Sequence, residues 1–196
     1  MFFWKPELAD SHDASAMARL CRAPPALLVL GLGAHEAAFA TFDGDVARWE
    51  DAARAKVRAL ASRLSCLPES TAVVFHTAAM AANRGFHGLR DGARQAALMA
   101  LTRRGTMDLF RSGELGRSYL LDTFALTRAA NATGSESLVS ADGHHYPTAV
   151  RQLEMAITYV AYRLHRLGLD PRRPHPTAHH ISPLLPPLLL QGSARR

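Results

Sequence analysis

Ala26-Leu27-Leu28-Val29-Leu30-Gly31-Leu32 is a continuous apolar run entered through Pro24-Pro25. A run bounded by breakers and polar on neither face suits a strand buried on both sides in a parallel sheet. Thr71-Ala72-Val73-Val74-Phe75-His76-Thr77 repeats the pattern with more β-branched residues. Ser118-Tyr119-Leu120-Leu121-Asp122 is a shorter third candidate, and Phe2-Phe3-Trp4, stopped by Pro6, a fourth.

Helical patterns lie between these runs. Over 45–64 the apolar residues Val46, Trp49, Ala53, Val57, Leu60 and Leu64 recur at spacings of three and four, with Pro68 as a stop. Residues 91–104 carry Ala96, Leu98, Met99 and Leu101 and end at Gly105. Residues 148–167 are clearest, with Val150, Leu153, Ile157, Val160, Ala161 and Leu164 on one face, Pro147 at the first turn and Gly168 at the end. Strands alternating with helices of this length predict one α/β domain over 1–169, a three-layer sandwich with a mainly parallel sheet. Residues 170–196 contain Pro171, Pro174, Pro176, Pro183, Pro186 and Pro187 and read as a poorly ordered Pro/Arg-rich tail.

Composition narrows the function classes. With 48% hydrophobic and 20% charged residues in 196, the chain reads as globular, neither disordered nor fibrous. Its apolar stretches fall short of the roughly 20 residues a membrane-spanning helix needs. The start, Met1-Phe2-Phe3-Trp4-Lys5-Pro6, lacks the layout of a signal peptide. Half of the net charge of +6 comes from the tail, where four Arg stand against one Asp. The cations of the body form no stripe interleaved with aromatics, so a nucleic-acid partner is not expected. Cys21 and Cys66 are too few for a disulfide framework, fit no zinc motif and read as small buried hydrophobes. His175, His179 and His180 lie among prolines without a fourth ligand, so neither metal nor cofactor is expected.

Ligands of open parallel sheets bind at the carboxyl ends of strands, and three clusters fall there. Gly31-Leu32-Gly33-Ala34-His35-Glu36 is no dinucleotide fingerprint, because Glu36 stands where the third glycine belongs. Nor is His35-Glu36-Ala37-Ala38-Phe39 a zinc-protease helix, since Phe39 replaces the second His. A glycine turn beside an imidazole can bind an oxyanion; it can equally be an ordinary turn with a part-exposed His. In Ser140-Ala141-Asp142-Gly143-His144-His145-Tyr146-Pro147, Asp142 and His145 can meet across a tight turn. An Asp that fixes the imidazole tautomer leaves the other nitrogen free as a general base. The plainer alternative is a turn-capping Asp beside surface histidines. Asp122-Thr123-Phe124-Ala125-Leu126-Thr127 suggests turn and packing residues only.

Taken in order, four segments resemble the SGNH/GDSL-type hydrolase superfamily, in its PC-esterase-like branch of O-acyl esterases and O-acetyltransferases. They are Leu30-Gly31-Leu32-Gly33-Ala34-His35, Val73-Val74-Phe75-His76-Thr77, Leu121-Asp122-Thr123-Phe124-Ala125-Leu126-Thr127 and Asp142-Gly143-His144-His145-Tyr146. The resemblance spans roughly residues 1–167, and the Asp-x-x-His block followed by an aromatic is its most specific part. It implies a flavodoxin-like sheet, Asp142 and His145 as acid and base of a Ser-His-Asp triad, and an oxyanion hole from the Gly33 N–H and His35. An acylated small molecule or glycan is the implied partner.

The family's Gly-Asp-Ser nucleophile block is missing: Gly44-Asp45 is followed by Val46, and Ser11 and Ser15 follow the segment that resembles the second strand. The reading is therefore a domain without its first strand, inactive as written for want of the Ser. The runner-up is a non-catalytic binding or interaction domain of the same fold. Without strand 1, Phe2-Phe3-Trp4 must close the gap, detach, or join a shortened sheet. Asn131-Ala132-Thr133 is a glycosylation sequon that matters only in the secretory pathway. That pathway fits if an N-terminal segment is missing; otherwise the cytoplasm does.

Overall fold

In the computed structural model, which describes residues 2–4, 12–32, 45–79, 92–134 and 146–169, four strands form one sheet. They are β1 (Phe2–Trp4), β2 (Leu27–Leu32), β3 (Ala72–Thr77) and β4 (Tyr119–Leu121), in the order β1-β2-β3-β4. Every pairing is parallel, with Phe2 opposite Leu28, Leu27 opposite Ala72 and Val74 opposite Tyr119. All four apolar runs anticipated as strands are strands. β1 lies directly against β2, with no gap between them.

The period of two along the strands sorts their side chains onto two faces. Leu28, Leu30 and Leu32 of β2 join Phe75 of β3 on one face. Three helices cover it, with Ala16, Met17 and Leu20 from α1 (His12–Arg22), Val57 and Leu60 from α2 (Val46–Arg63) and Leu109 from α3 (Gly92–Arg111). Leu27, Val29, Ala72, Val74, Tyr119 and Leu121 occupy the opposite face. After the short α4 (Thr123–Ala132), α5 (Thr148–Arg166) covers that face with Ile157, Ala161 and Leu164. Helices on both sides of a parallel sheet are the layering that the alternation predicts. Leu28 and Leu30 are wholly buried, each contributing about 1.5–3 kcal/mol.

Local chemistry sets the helix limits. Asp45 caps α2 by accepting from the Arg48 N–H at 3.0 Å. Gly168, at φ 70°, closes α5 in a Schellman turn: its N–H donates to the His165 carbonyl and that of Leu169 to the Leu164 carbonyl. The expectation that α3 stops at Gly105 fails, because the helix runs on to Arg111. Gly105 serves packing instead, since a Cβ there would stand 2.9 Å from Arg54 Cγ on α2. Arg54 Nη2 in turn donates to Glu50 at 2.8 Å and to Asp108 of α3 at 2.9 Å. Neither α1 nor α4 was anticipated from the pattern; both are short helices that complete the covers over the sheet.

Two further expectations need correction. Leu153 and Val160 are 47% and 53% exposed, so the apolar arc of α5 is wider than the strip of sheet beneath it. Cys21 and Cys66 are not buried hydrophobes: Cys66 is exposed, Cys21 half-buried, and the two form a disulfide with Cα atoms 5.5 Å apart. Their separation of 45 residues says nothing of this, because the fold brings the end of α1 beside the 3-10 turn Leu64–Cys66. Closing a loop of that size restricts the unfolded chain by roughly 4 kcal/mol in the chain-entropy account. Among the described residues no helix is long and apolar enough to cross a membrane.

Candidate functional site at the carboxyl edge of the sheet

The register aligns Leu32 with Thr77 and His76 with Leu121, so β2, β3 and β4 end on one edge. The orientation of α5 follows from its ties at the opposite edge. Tyr119, the first residue of β4, donates its hydroxyl proton to the Leu169 carbonyl at 2.8 Å. His165 Nε2 meets the Glu69 carbonyl, just before β3, at 2.8 Å. With its C-terminus held there, α5 runs against the strands and begins at their carboxyl ends.

That edge is polar on both faces. On the α3 side, Asp122 directly follows β4 and accepts from Arg103 Nε at 2.8 and 2.9 Å and also from Nη2. Its Oδ1 further accepts from the Ala125 N–H at 3.1 Å, capping α4, and from the Thr77 hydroxyl at 3.3 Å. Thr77 Oγ1 accepts the Phe124 N–H at 3.0 Å. Burial opposes ionisation of Asp122, yet the Arg103 guanidinium and these donors hold its carboxyl below the usual range. Arg103 also lies over the Phe124 ring.

On the α5 side, His76 is buried with Nε2 3.0 Å from Thr158 Oγ1. Thr158 donates its hydroxyl proton to the Glu154 carbonyl at 2.8 Å, so the imidazole supplies the proton of the His76–Thr158 bond. Desolvation pushes the His76 pKa down to about 4. A neutral, buried ring committed to a threonine is a structural group rather than an exposed base. Thr123, beside Asp122, is buried with a hydroxyl that has no hydrogen-bond partner.

Gly33, His35, Asp142 and His145, the four residues singled out from the sequence, lie outside the described residues, as do His144 and the tail from 170. Their described neighbours have defined positions. Leu32, immediately before Gly33, is buried at the carboxyl end of β2. Tyr146, immediately after His145, is buried against Ala130 and Val150, with Ala79 beyond β3 and Leu126 packed alongside. Its hydroxyl accepts from Asn131 Nδ2 at 2.9 Å, and its carbonyl from Arg151 Nε at 3.1 Å. The Asn131 amide of the sequon is thereby engaged within the fold.

Sequence reasoning missed the pairing of Asp122 with Arg103 and of His76 with Thr158. An Asp three residues before a helical N–H is a capping signal, and it was available at Asp122. Nothing local foretells Arg103 or Thr158, which arrive from other elements. Among the described residues no cluster of His, Cys, Asp and Glu could hold a metal ion. The described strands step in one direction without the reversal that marks the ligand crevice of doubly wound sheets. Comparison with protein-family models, curated proteins and solved structures finds no match to this chain.

Proposed function

We propose that the chain is an SGNH-type acyl-ester hydrolase or O-acyltransferase domain whose general base is His145, oriented by Asp142, and which lacks a nucleophilic Ser. One observation carries this reading. Leu32 and Tyr146, the described neighbours of Gly33 and His145, are both anchored at the carboxyl edge of the β2–β3 pair. Leu32 and Tyr146 thus lie at one end of one sheet, which is what a cleft shared by the two segments they border would need. In such a cleft His145 would take the proton of an attacking hydroxyl while the Gly33 N–H and His35 stabilise the oxyanion. Acylated glycans or small acyl esters are the matching substrate class.

The alternative, a non-catalytic binding domain of the same fold, has an observation of its own. β1 occupies the edge of β2 that the resembled fold gives to the nucleophile strand. An edge takes only one partner, so β1 and such a strand cannot both pair there.

Ring-nitrogen NMR of His145 tests the leading reading. A single tautomer that becomes a mixture in Asp142→Asn supports it; identical ring signals in both chains overturn it. With a short-chain acyl ester, no His145-dependent turnover is expected from the chain as written. Turnover that needs His145 and survives replacement of both Ser11 and Ser15 by Ala would refute the missing-nucleophile account.

A further inference from the structure

The bridge between Cys21 and Cys66 joins the end of α1 to the turn that follows α2. Among the described residues, two other sets of contacts hold the amino-terminal unit. β1 contributes three residues paired to β2, and α1 buries Ala16, Met17 and Leu20. The chain has two cysteines, so the pairing has no competitor. Cys66 is exposed and Cys21 half-buried, within reach of a thiol–disulfide exchange partner. Such bridges persist in oxidising compartments and are rare in the reducing cytosol.

We infer that the chain matures in an oxidising compartment, where Cys21 and Cys66 are bridged by exchange and the bridge clamps the β1–α1 unit onto the sheet. One thiolate attacks the disulfide of an exchange catalyst, forming a mixed disulfide and expelling a thiol. The second cysteine then attacks the mixed disulfide and releases the other thiol. Two electrons and two protons pass to the catalyst, and the chain becomes two hydrogen atoms lighter. The sequon adds no support, since Asn131 is engaged with Tyr146. The inference does not depend on the esterase reading.

The test traps thiols in intact cells producing the full chain, by acid quenching and a mass tag, and follows amide exchange of the purified chain. The expected product carries no tag and yields a cross-linked peptide holding Cys21 and Cys66. Reductant should speed exchange of the α1 amides about tenfold or more beyond the rise that the lower global stability brings to β3 and α5. Cys21→Ser with Cys66→Ser should reproduce the reduced pattern; if that variant fails to fold, reduction of the purified chain supplies the same measurement. Two tagged thiols on the folded cellular product overturn the compartment. A rise in α1 exchange no larger than that of β3 and α5 overturns the clamp.

Discussion

Asn131 of α4 donates from Nδ2 to the Tyr146 hydroxyl at 2.9 Å, tying the helix after β4 to the residue that leads into α5. The Asn131 Oδ1 atom is buried without a hydrogen-bond partner, so the amide is already half satisfied at best. Removing the hydroxyl leaves both ends of the side chain unpaired. We expect Tyr146→Phe to cost about 1–3 kcal/mol, read as a lower urea midpoint with an unchanged slope. No change in the midpoint would mean that packing of the ring on Ala130 and Val150 alone holds this junction.

His76 makes stability depend on mildly acidic pH. Its pKa falls from an ordinary 6.5 to about 4 on folding. Above 6.5 the ring is neutral in both states and the stability is fully present. Between 6.5 and about 4 the unfolded chain binds the proton more readily, so stability falls as pH drops through this window and flattens below it. The loss is about 3 kcal/mol, at roughly 1.4 per pH unit. Denaturant titrations from pH 7.5 to 4, covering about that range, should show the slope in the native chain and lose it in His76→Phe. A slope that persists in the variant assigns it to another group.

Asp122 governs a separate, more acidic arm. Its carboxyl is held below the ordinary 3.8, so the stability it lends is present above that value and disappears as pH falls through the lower folded value. Arg103 supplies a two-oxygen grip on a half-buried carboxylate, and Lys cannot reproduce that fork. We expect Arg103→Lys to lose about 1 kcal/mol at neutral pH and Asp122→Ala about 2, because the latter also uncaps α4. Thermal unfolding at pH 7 checks the order; Arg103→Lys being the costlier change would show that Arg103 acts chiefly through the Phe124 ring.

The parts of this fold that were legible from sequence are those encoded within one segment. The run 26–32 is apolar on both faces, and it emerged as the strand buried from both sides. Pro147 and Gly168 bracket α5 as their backbone preferences dictate. What escaped notice depends on partners distant in sequence. Cys21 meets Cys66, Arg103 meets Asp122, and Gly105 reads as a helix stop until Arg54 is seen across from it. Leu153 and Val160 fit the helical period yet face outward, because period alone does not say how wide a surface waits beneath. Gly33, His35, Asp142 and His145, which the sequence singled out, lie outside the described residues, while Asp122, Arg103, His76 and Thr158, which it passed over, hold the carboxyl edge in place.

Gly105 offers a direct check on that lesson. In a helix interior Gly is worse than Ala by about 0.8–1 kcal/mol, so Gly105→Ala should stabilise α3 on propensity alone. The added Cβ meets Arg54 Cγ at 2.9 Å, close to the base of a side chain whose tip is held by Glu50 and Asp108. Arg54 must shift, weakening both contacts, and the two effects oppose each other. We expect Gly105→Ala to be neutral or destabilising by up to about 1 kcal/mol in the native background, and stabilising by about 0.5–1 kcal/mol in an Arg54→Ala background. The double-mutant cycle separates the two roles of the glycine. Equal effects in both backgrounds would show that α2 and α3 do not need the glycine to approach each other, and would leave its place within α3 unexplained.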